Sequence, residues 1–529
     1  MTIREQLNTI AEERIVILDC AMGSVIQTLN LDEKSYRGAK VAGHPMPLLG
    51  CFDLLCLTRP GAISAIHDTY LEAGADIIET CSFNSNSISL SDYGLGSMAY
   101  ELSKAAAHLA RKSVDKFSTY SRPRFVAGSI GPTTKSASIP ADVSDPSKHN
   151  TSWDELEAAY YNNAKGLLDG GVDVFLVESI CDTLNAKAAL FAIGRLLEER
   201  KIDVPVMLSA AVDESGRLLS GQSLETFCIS VLHANPWSIG INCSFPASKL
   251  FPHARFLSEI VPCYVSVHPN AGFPDQFGRY DEKPELMASS FSQYFKEEIV
   301  NIAGGCCGTT PGHIAEIAMK AFEHKPRKTK SNLLKNTFSG LEPYYAINNA
   351  VYINELIHSN DDKVLKKALI EGEYEDAADI ARDKIERGES ILNIEISSEE
   401  SLTAFLDYAF LNPYVARVPF MLTSSDFKIL ITGLKRMQGR GLAGPVNLKN
   451  GDAGFIAKVK LILRYGAVAF VSMADEQGYA ETDERKAEIE NRINKLLEAN
   501  NLPSDSIIFN LEYEQISRDK TDGDLQVDA

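Results

Sequence analysis

No stretch of this sequence is long and apolar enough to span a bilayer, and residues 1–14 are charged, without the apolar centre of a secretory signal. Basic residues are in deficit: the 529 residues include 52 Lys and Arg against 71 Asp and Glu, a formal net charge of −19. That balance argues against nucleic acid or an anionic membrane surface as a partner. Together these absences predict a cytoplasmic protein whose 10 cysteines stay reduced. Most of them, among them Cys20, Cys51, Cys56, Cys81 and Cys228, are expected to pack as small apolar side chains.

What is present is a globular composition, 45% hydrophobic and 23% charged, in a chain too long for one core. At least two domains are expected. Residues 15–323 alternate strand-like and helix-like segments. The strand candidates are 15–20, 75–83, 124–131, 172–180, 205–212, 238–244, 264–271 and 299–305. They are short and continuously apolar, as strands buried on both faces are. Helical stretches such as 153–168 and 185–200 lie between them, and Thr309-Thr310-Pro311 marks another helix start. Eight such units are the count of a closed (β/α)8 TIM barrel.

One stretch stands out against that background. Gly304-Gly305-Cys306-Cys307-Gly308 follows the last strand candidate. Neighbouring residues on a strand point to opposite faces, so both sulfurs can meet one point only where the strand has broken into a turn. The flanking glycines ease that break. Two converging thiolates suit zinc. Cys243 ends another apolar run, Ile239-Gly240-Ile241-Asn242-Cys243, and is the best candidate for a third ligand. Three cysteines and one open position is the pattern of a catalytic zinc site; a closed structural site needs a fourth protein ligand, and none is obvious. Asp19, Glu79, Glu178 and Asn270 also fall at carboxyl ends of strand candidates, where barrel enzymes keep their chemistry. Asp19 suits either the cap of a helix from Met22 or a substrate ammonium, and Asn270 either shapes the Pro269-Asn270-Ala271-Gly272 turn or reaches substrate.

The Gly-Gly-Cys-Cys-Gly-Thr-Thr-Pro run at 304–311 resembles the signature of the homocysteine S-methyltransferase family, which includes the amino-terminal part of cobalamin-dependent methionine synthase. Asn242-Cys243 matches its upstream cysteine, Asp19-Cys20-Ala21-Met22-Gly23-Ser24 its first-strand motif, and Glu79-Thr80-Cys81-Ser82-Phe83-Asn84 and Pro269-Asn270-Ala271-Gly272 further motifs. The resemblance spans residues 1–325. It implies that Cys243, Cys306 and Cys307 bind Zn²⁺, that homocysteine takes the open position as a thiolate, and that this thiolate attacks a methyl group. It also implies that Asp19 and Glu178 pair with the substrate ammonium and that backbone N–H groups near Ser82 and Asn84 hold its carboxylate. Long loops at 30–58 and 132–152 are expected to cover the substrate or receive the methyl donor.

Residues 324–338 are rich in Lys, Pro and Ser and read as a linker. Beyond it, strand candidates at 344–348, 390–396, 418–423, 444–448, 468–473 and 506–511 fall short of eight, so a second, incomplete β/α barrel-like domain is expected over 339–516. An acidic tail at 517–529 reads as disordered. This half resembles the start of the pterin-binding barrel of methionine synthase through Met473-Ala474-Asp475-Glu476-Gln477-Gly478. It departs from that pattern at Asn393-Ile394-Glu395, Leu422-Thr423-Ser424-Ser425 and Gly444-Pro445-Val446-Asn447. Productive folate binding is therefore not expected. Nothing resembles a cobalamin module, so the methyl group is expected from methylcobalamin on a separate corrinoid protein or from a small donor. The competing expectations are a subunit active only within such an assembly and a methyltransferase for another thiol.

Overall fold

The computed structural model describes residues 1–19, 22–142, 145–276, 278–345, 356–358, 363–388 and 390–509. The expected disordered tail and the segment at 348–354 lie outside the described residues. Two compact units divide the chain: residues 1–137, 150–228 and 235–333 form the first, and residues 138–149, 229–234 and those from 334 onward form the second.

In the first unit, eight strands form one parallel sheet: β1 (Val16–Ile17), β2 (Ile77–Glu79), β3 (Phe125–Ile130), β4 (Val174–Ile180), β5 (Val206–Ala210), β6 (Ser238–Pro246), β7 (Tyr264–Asn270) and β8 (Ile302–Ala303). Their order is β1-β8-β7-β6-β5-β4-β3-β2. A parallel bridge between Leu18 and Ile77 joins β1 to β2. There Asp19 N–H donates to Ile77 O at 3.1 Å and Asp76 N–H to Ile17 O at 2.7 Å. The sheet closes on itself as the TIM barrel that eight β/α units imply. Ladder hydrogen bonds continue past the ends of β1 and β8, from Leu18 N–H to Ala303 O and from Gly304 N–H to Val267 O.

The amino-terminal end of the barrel is apolar. The helix Ile3–Glu13, begun by a Thr2–Glu5 capping box, packs Leu7 and Ala11 against Val16, Ile77, Phe125 and Met207. Trp237 Nε1–H donates to Asn8 Oδ1 at 2.9 Å. Beside it the buried Asp76 carboxylate accepts two bonds from Arg14, at 2.6 and 2.9 Å, and one from Ile17 N–H at 3.0 Å. This leaves the carboxyl end for polar chemistry.

The segment expected to be a linker is partly fixed. Arg327 is buried, and its guanidinium donates to the carbonyls of Ser258, Val261 and Cys263, which include orphan acceptors at the end of the helix Ala247–Ile260. Composition alone cannot tell such an arginine from a solvated one. The hairpin Pro140–Asp142 and Asp145–His149 lies in the loop at 132–152, and its residues group with the second unit.

The second unit carries six parallel strands in sequential order: β9 (Leu356–His358), β10 (Ile391–Glu395), β11 (Phe420–Thr423), β12 (Leu442–Val446), β13 (Val468–Val471) and β14 (Ile507–Phe509). Ile391, Met421, Leu442, Val468 and Phe470 build its core with Phe338. Among the described residues this sheet does not close. Of the expected first strand at 344–348, the described part belongs to Pro343–Tyr345, which pairs antiparallel with Thr337–Ser339, and 346–348 lie outside the described residues; β9 is the edge of the described sheet.

Candidate metal centre and substrate cavity

The rim is where regular backbone fails. Cys243 and Ser244 both have φ of +58°, and the register between β6 and β7 shifts between Cys243 and Pro246. A non-glycine residue held in the left-handed region costs about 1–3 kcal/mol and persists where its surroundings enforce it. Here Ser244 Oγ accepts from Val212 N–H at 3.1 Å. The kink turns the Cys243 thiol toward the barrel mouth.

The paired cysteines arrive by a different device. Cys306 N–H still donates to Pro269 O at 2.8 Å, as a strand residue does, but Cys307 has entered the turn. Thr309 N–H and Oγ1 close that turn on Cys306 O, at 3.1 and 2.6 Å. Gly308 has φ of +80° and its N–H donates to Ser24 Oγ at 2.9 Å.

The result is a cluster in which the sulfurs of Cys243, Cys306 and Cys307 all lie within 4.8 Å of one another. Cys243 Sγ is 3.7 Å from Cys307 Sγ. Zn–S bonds of about 2.3 Å in a tetrahedral site separate two sulfurs by ~3.8 Å. The donor set fits zinc in both chemistry and spacing. Without a cation the three sulfurs share protons: hydrogen bonds from Cys306 and Cys307 pull Cys243 down to about 3, while the same contacts push Cys306 up and Cys307 up to about 11.

Beside the sulfurs is a cavity of about 400 Å³, lined among others by Phe52, Asp53, Glu79, Phe83, Glu178 and Tyr280. Asp19, Glu79 and Glu178 are buried and close enough for each to perturb the others. Asp19 Oδ1 accepts from Glu79 N–H at 2.9 Å, and Asp19 Oδ2 has no partner. Burial raises all three carboxyls, Glu178 to about 7, and Glu79 and Glu178 perturb one another. Ser129 Oγ–H donates to Glu178 Oε1 at 2.5 Å. Buried carboxyls gathered in this way offer acceptors to a positively charged group.

The comparisons with known proteins bear on this geometry. Residues 16–321 match the family model described as homocysteine S-methyltransferase. The chain belongs to that family. Among solved structures, it is similar to the homocysteine methyltransferase MmuM from Escherichia coli: 20% identity over 58% of this chain and 96% of the other in the oxidized form, TM-score 0.46. The metallated form gives 20% identity over 59% and 98%, TM-score 0.45. A geranylgeranylglyceryl phosphate synthase from Thermoplasma acidophilum matches at 7% identity over 61% and 99%, TM-score 0.32.

The methyltransferase keeps its other sequence-expected residues at varying distance from this centre. Ser82 and Asn84 line the cavity, but their amides are engaged: Ser82 N–H donates to Thr80 O at 2.8 Å and Asn84 N–H to Asp53 Oδ1 at 3.0 Å. Asp19 Oδ1 is engaged with Glu79 N–H. Asn270 is buried, and its side-chain oxygen has no hydrogen-bond partner among the described residues.

Four residues escaped the sequence analysis or were given no role by it. Glu79 was placed at the rim but given no role. Asp53 sits in the 30–58 loop, and Tyr280 in the chain after β7; neither segment has a periodicity that marks which residue turns inward. Asn242 was visible only as the neighbour of Cys243. Its amide accepts from Ser179 N–H at 3.0 Å and donates to Ser179 Oγ at 2.9 Å, with Cys306 Sγ 3.8 Å away. No described helix is long and apolar enough to cross a membrane.

Proposed function

We propose that this chain methylates homocysteine to methionine, using Cys243, Cys306 and Cys307 to hold Zn²⁺ beside the cavity. The observation that carries the proposal is the spacing of three sulfurs from two separate strand ends. Zinc bound there supplies deprotonation of the substrate thiol, which near neutral pH converts it to its nucleophilic form.

The chain's own residues do the remaining work. Asp19 Oδ2, the unpartnered oxygen, and Glu178 receive the substrate ammonium. Glu79 keeps the proton that lets three buried carboxyls coexist and donates it in a hydrogen bond to Glu178. Phe52, Phe83 and Tyr280 line the cavity and reduce its water. No general base is required at methyl transfer, because the nucleophile is already ionised.

This reading assigns no folate step to the second unit. At the carboxyl ends of its strands the polar groups bond one another: Thr423 Oγ–H donates to Asn393 Oδ1 at 2.7 Å, and Arg485 donates to Asp475 at 2.5 Å. A pterin needs such groups unspent. The methyl donor is then external, either a small molecule or methylcobalamin on a separate corrinoid protein.

The test is a donor panel with homocysteine and purified protein: methylcobalamin, methyltetrahydrofolate, S-methylmethionine and betaine, each with and without chelator. Methionine formed from at least one donor other than methyltetrahydrofolate, and abolished by zinc removal, supports the proposal. Undiminished turnover in fully zinc-free protein contradicts it.

A further inference from the structure

An amino acid brings a carboxylate as well as an ammonium, and the cavity answers the two ends differently. Buried carboxyls stand ready for the ammonium. No Lys, Arg or His is among the described residues that line the cavity, so a carboxylate there has to be met by neutral donors. The Asn84 side chain lines the cavity and makes no hydrogen bond to another described residue. Its carboxamide N–H groups are unspent donors.

That side chain is carried by a turn that follows β2, and the turn is pinned at both ends. Ser82 Oγ–H donates to Ser129 O at 2.7 Å, and Phe83 O accepts from Gly131 N–H at 3.0 Å. Beyond it, Asn86 Oδ1 caps the helix Ser87–Ser91 by accepting from Ser89 N–H at 2.8 Å. Between these anchors the hold comes from a distant segment: Asp53 Oδ1 accepts from Asn84 N–H at 3.0 Å and from Ser85 Oγ–H at 2.9 Å. Asp53 is 3% exposed and stands in the short turn Phe52–Leu54. That turn is fixed in its own place, since Cys81 Sγ–H donates to Phe52 O at 3.7 Å and the Phe52 and Tyr36 rings lie 6.4 Å apart. One carboxylate oxygen thus sets the backbone that carries the Asn84 carboxamide.

We propose that Asp53 is a positioning residue for the substrate carboxylate: through Asn84 N–H and Ser85 Oγ–H it fixes the turn that presents the Asn84 carboxamide to that group. The inference deepens the homocysteine reading above and rests on it. Asp53 acts through the turn and not on the substrate. Its charge opposes a nearby carboxylate; its contribution is the pair of bonds it accepts. An asparagine at position 53 keeps an acceptor for both donors and loses the charge, so it separates the two effects.

The experiment uses the full chain, zinc-loaded, with zinc content and thermal midpoint measured first. Calorimetric titration compares homocysteine with 3-mercaptopropylamine, which has the same thiol and amine without the carboxylate. Wild type is expected to bind homocysteine more tightly. Asp53→Ala is expected to bind homocysteine roughly tenfold more weakly, the worth of one hydrogen bond to a charged group, with 3-mercaptopropylamine held within about twofold. Asp53→Asn is expected to bind homocysteine at least as tightly as wild type. An equal loss for the two ligands in Asp53→Ala overturns the inference, because it means a generally loosened site. So does unchanged homocysteine binding in Asp53→Ala, or a loss in Asp53→Asn as large as in Asp53→Ala. Wild-type protein that binds the two ligands equally overturns the carboxylate contact alone. Wild-type protein that binds neither overturns the homocysteine reading itself and this inference with it.

Discussion

Tyr280 and Gly308 are packed so that position 308 admits no side chain: a built β-carbon meets the Tyr280 Cβ at 2.2 Å, and the backbone there has φ of +80°. Gly308→Ala is therefore expected to fail twice, by clash and by backbone strain. A cost of about 2–4 kcal/mol follows from the strain and overpacking together, and the nearby Cys307 should shift with it. Zinc affinity and the thermal midpoint should both drop. An alanine variant with wild-type zinc affinity contradicts this packing.

On the proposed reading Glu79 keeps the proton that it shares with Glu178. Glu79→Gln retains a donor, and its KM for homocysteine should stay within a few-fold of wild type. Glu79→Leu removes it and leaves Glu178 less well bonded, so KM should rise about tenfold, the worth of one hydrogen bond to a charged group. Steady-state kinetics on both variants decide it; equal KM values for Gln and Leu refute the role.

Burial raises Asp53 to about 6, only partly offset by its bonds from Ser85 and Asn84. An acid raised in the folded state adds stability below its unfolded value near 3.8 and loses it as pH climbs through about 6. At pH 7 the ionised form costs ~3 kcal/mol on the scale of 1.36 kcal/mol per unit. Asp53→Asn keeps an acceptor for both donors without the charge. It should be more stable than wild type at pH 7 and indistinguishable below pH ~4. Melting curves across that range test it, and a stabilisation that is independent of pH counts against it.

Asp76 is fully buried with Arg14 on both carboxylate oxygens and Arg124 at 3.2 Å. Removing one partner of a buried ion pair strands the others, at about 3–5 kcal/mol. Asp76→Ala should unfold at markedly lower denaturant, far from any effect on substrate recognition. A loss below about 1 kcal/mol, the value of an exposed pair, would mean that the arginines find water instead.

Much of this was legible in the sequence because it is written in local pattern. Apolar runs such as 172–180 and 264–271 are buried on both faces, and that is what makes them read as parallel strands. The Gly-Gly-Cys-Cys-Gly run declares its own turn. Cys243 was legible only as the end of a run; the left-handed backbone that aims its thiol was not. Tyr280 and Asp53 were hidden because loops carry no period, and Arg327 because a basic residue covering helix-end carbonyls looks like one in solvent. In the second unit, Pro343–Tyr345 has an antiparallel partner at Thr337–Ser339 that no composition rule announces.

The most direct test is the zinc stoichiometry of the full chain and of Cys243→Ala, measured after exhaustive dialysis with X-ray absorption of the bound metal. The account predicts one zinc per chain with three sulfur neighbours at about 2.3 Å, and loss of tight binding in the variant. A full complement of zinc retained by Cys243→Ala, with the same sulfur shell as wild type, contradicts it.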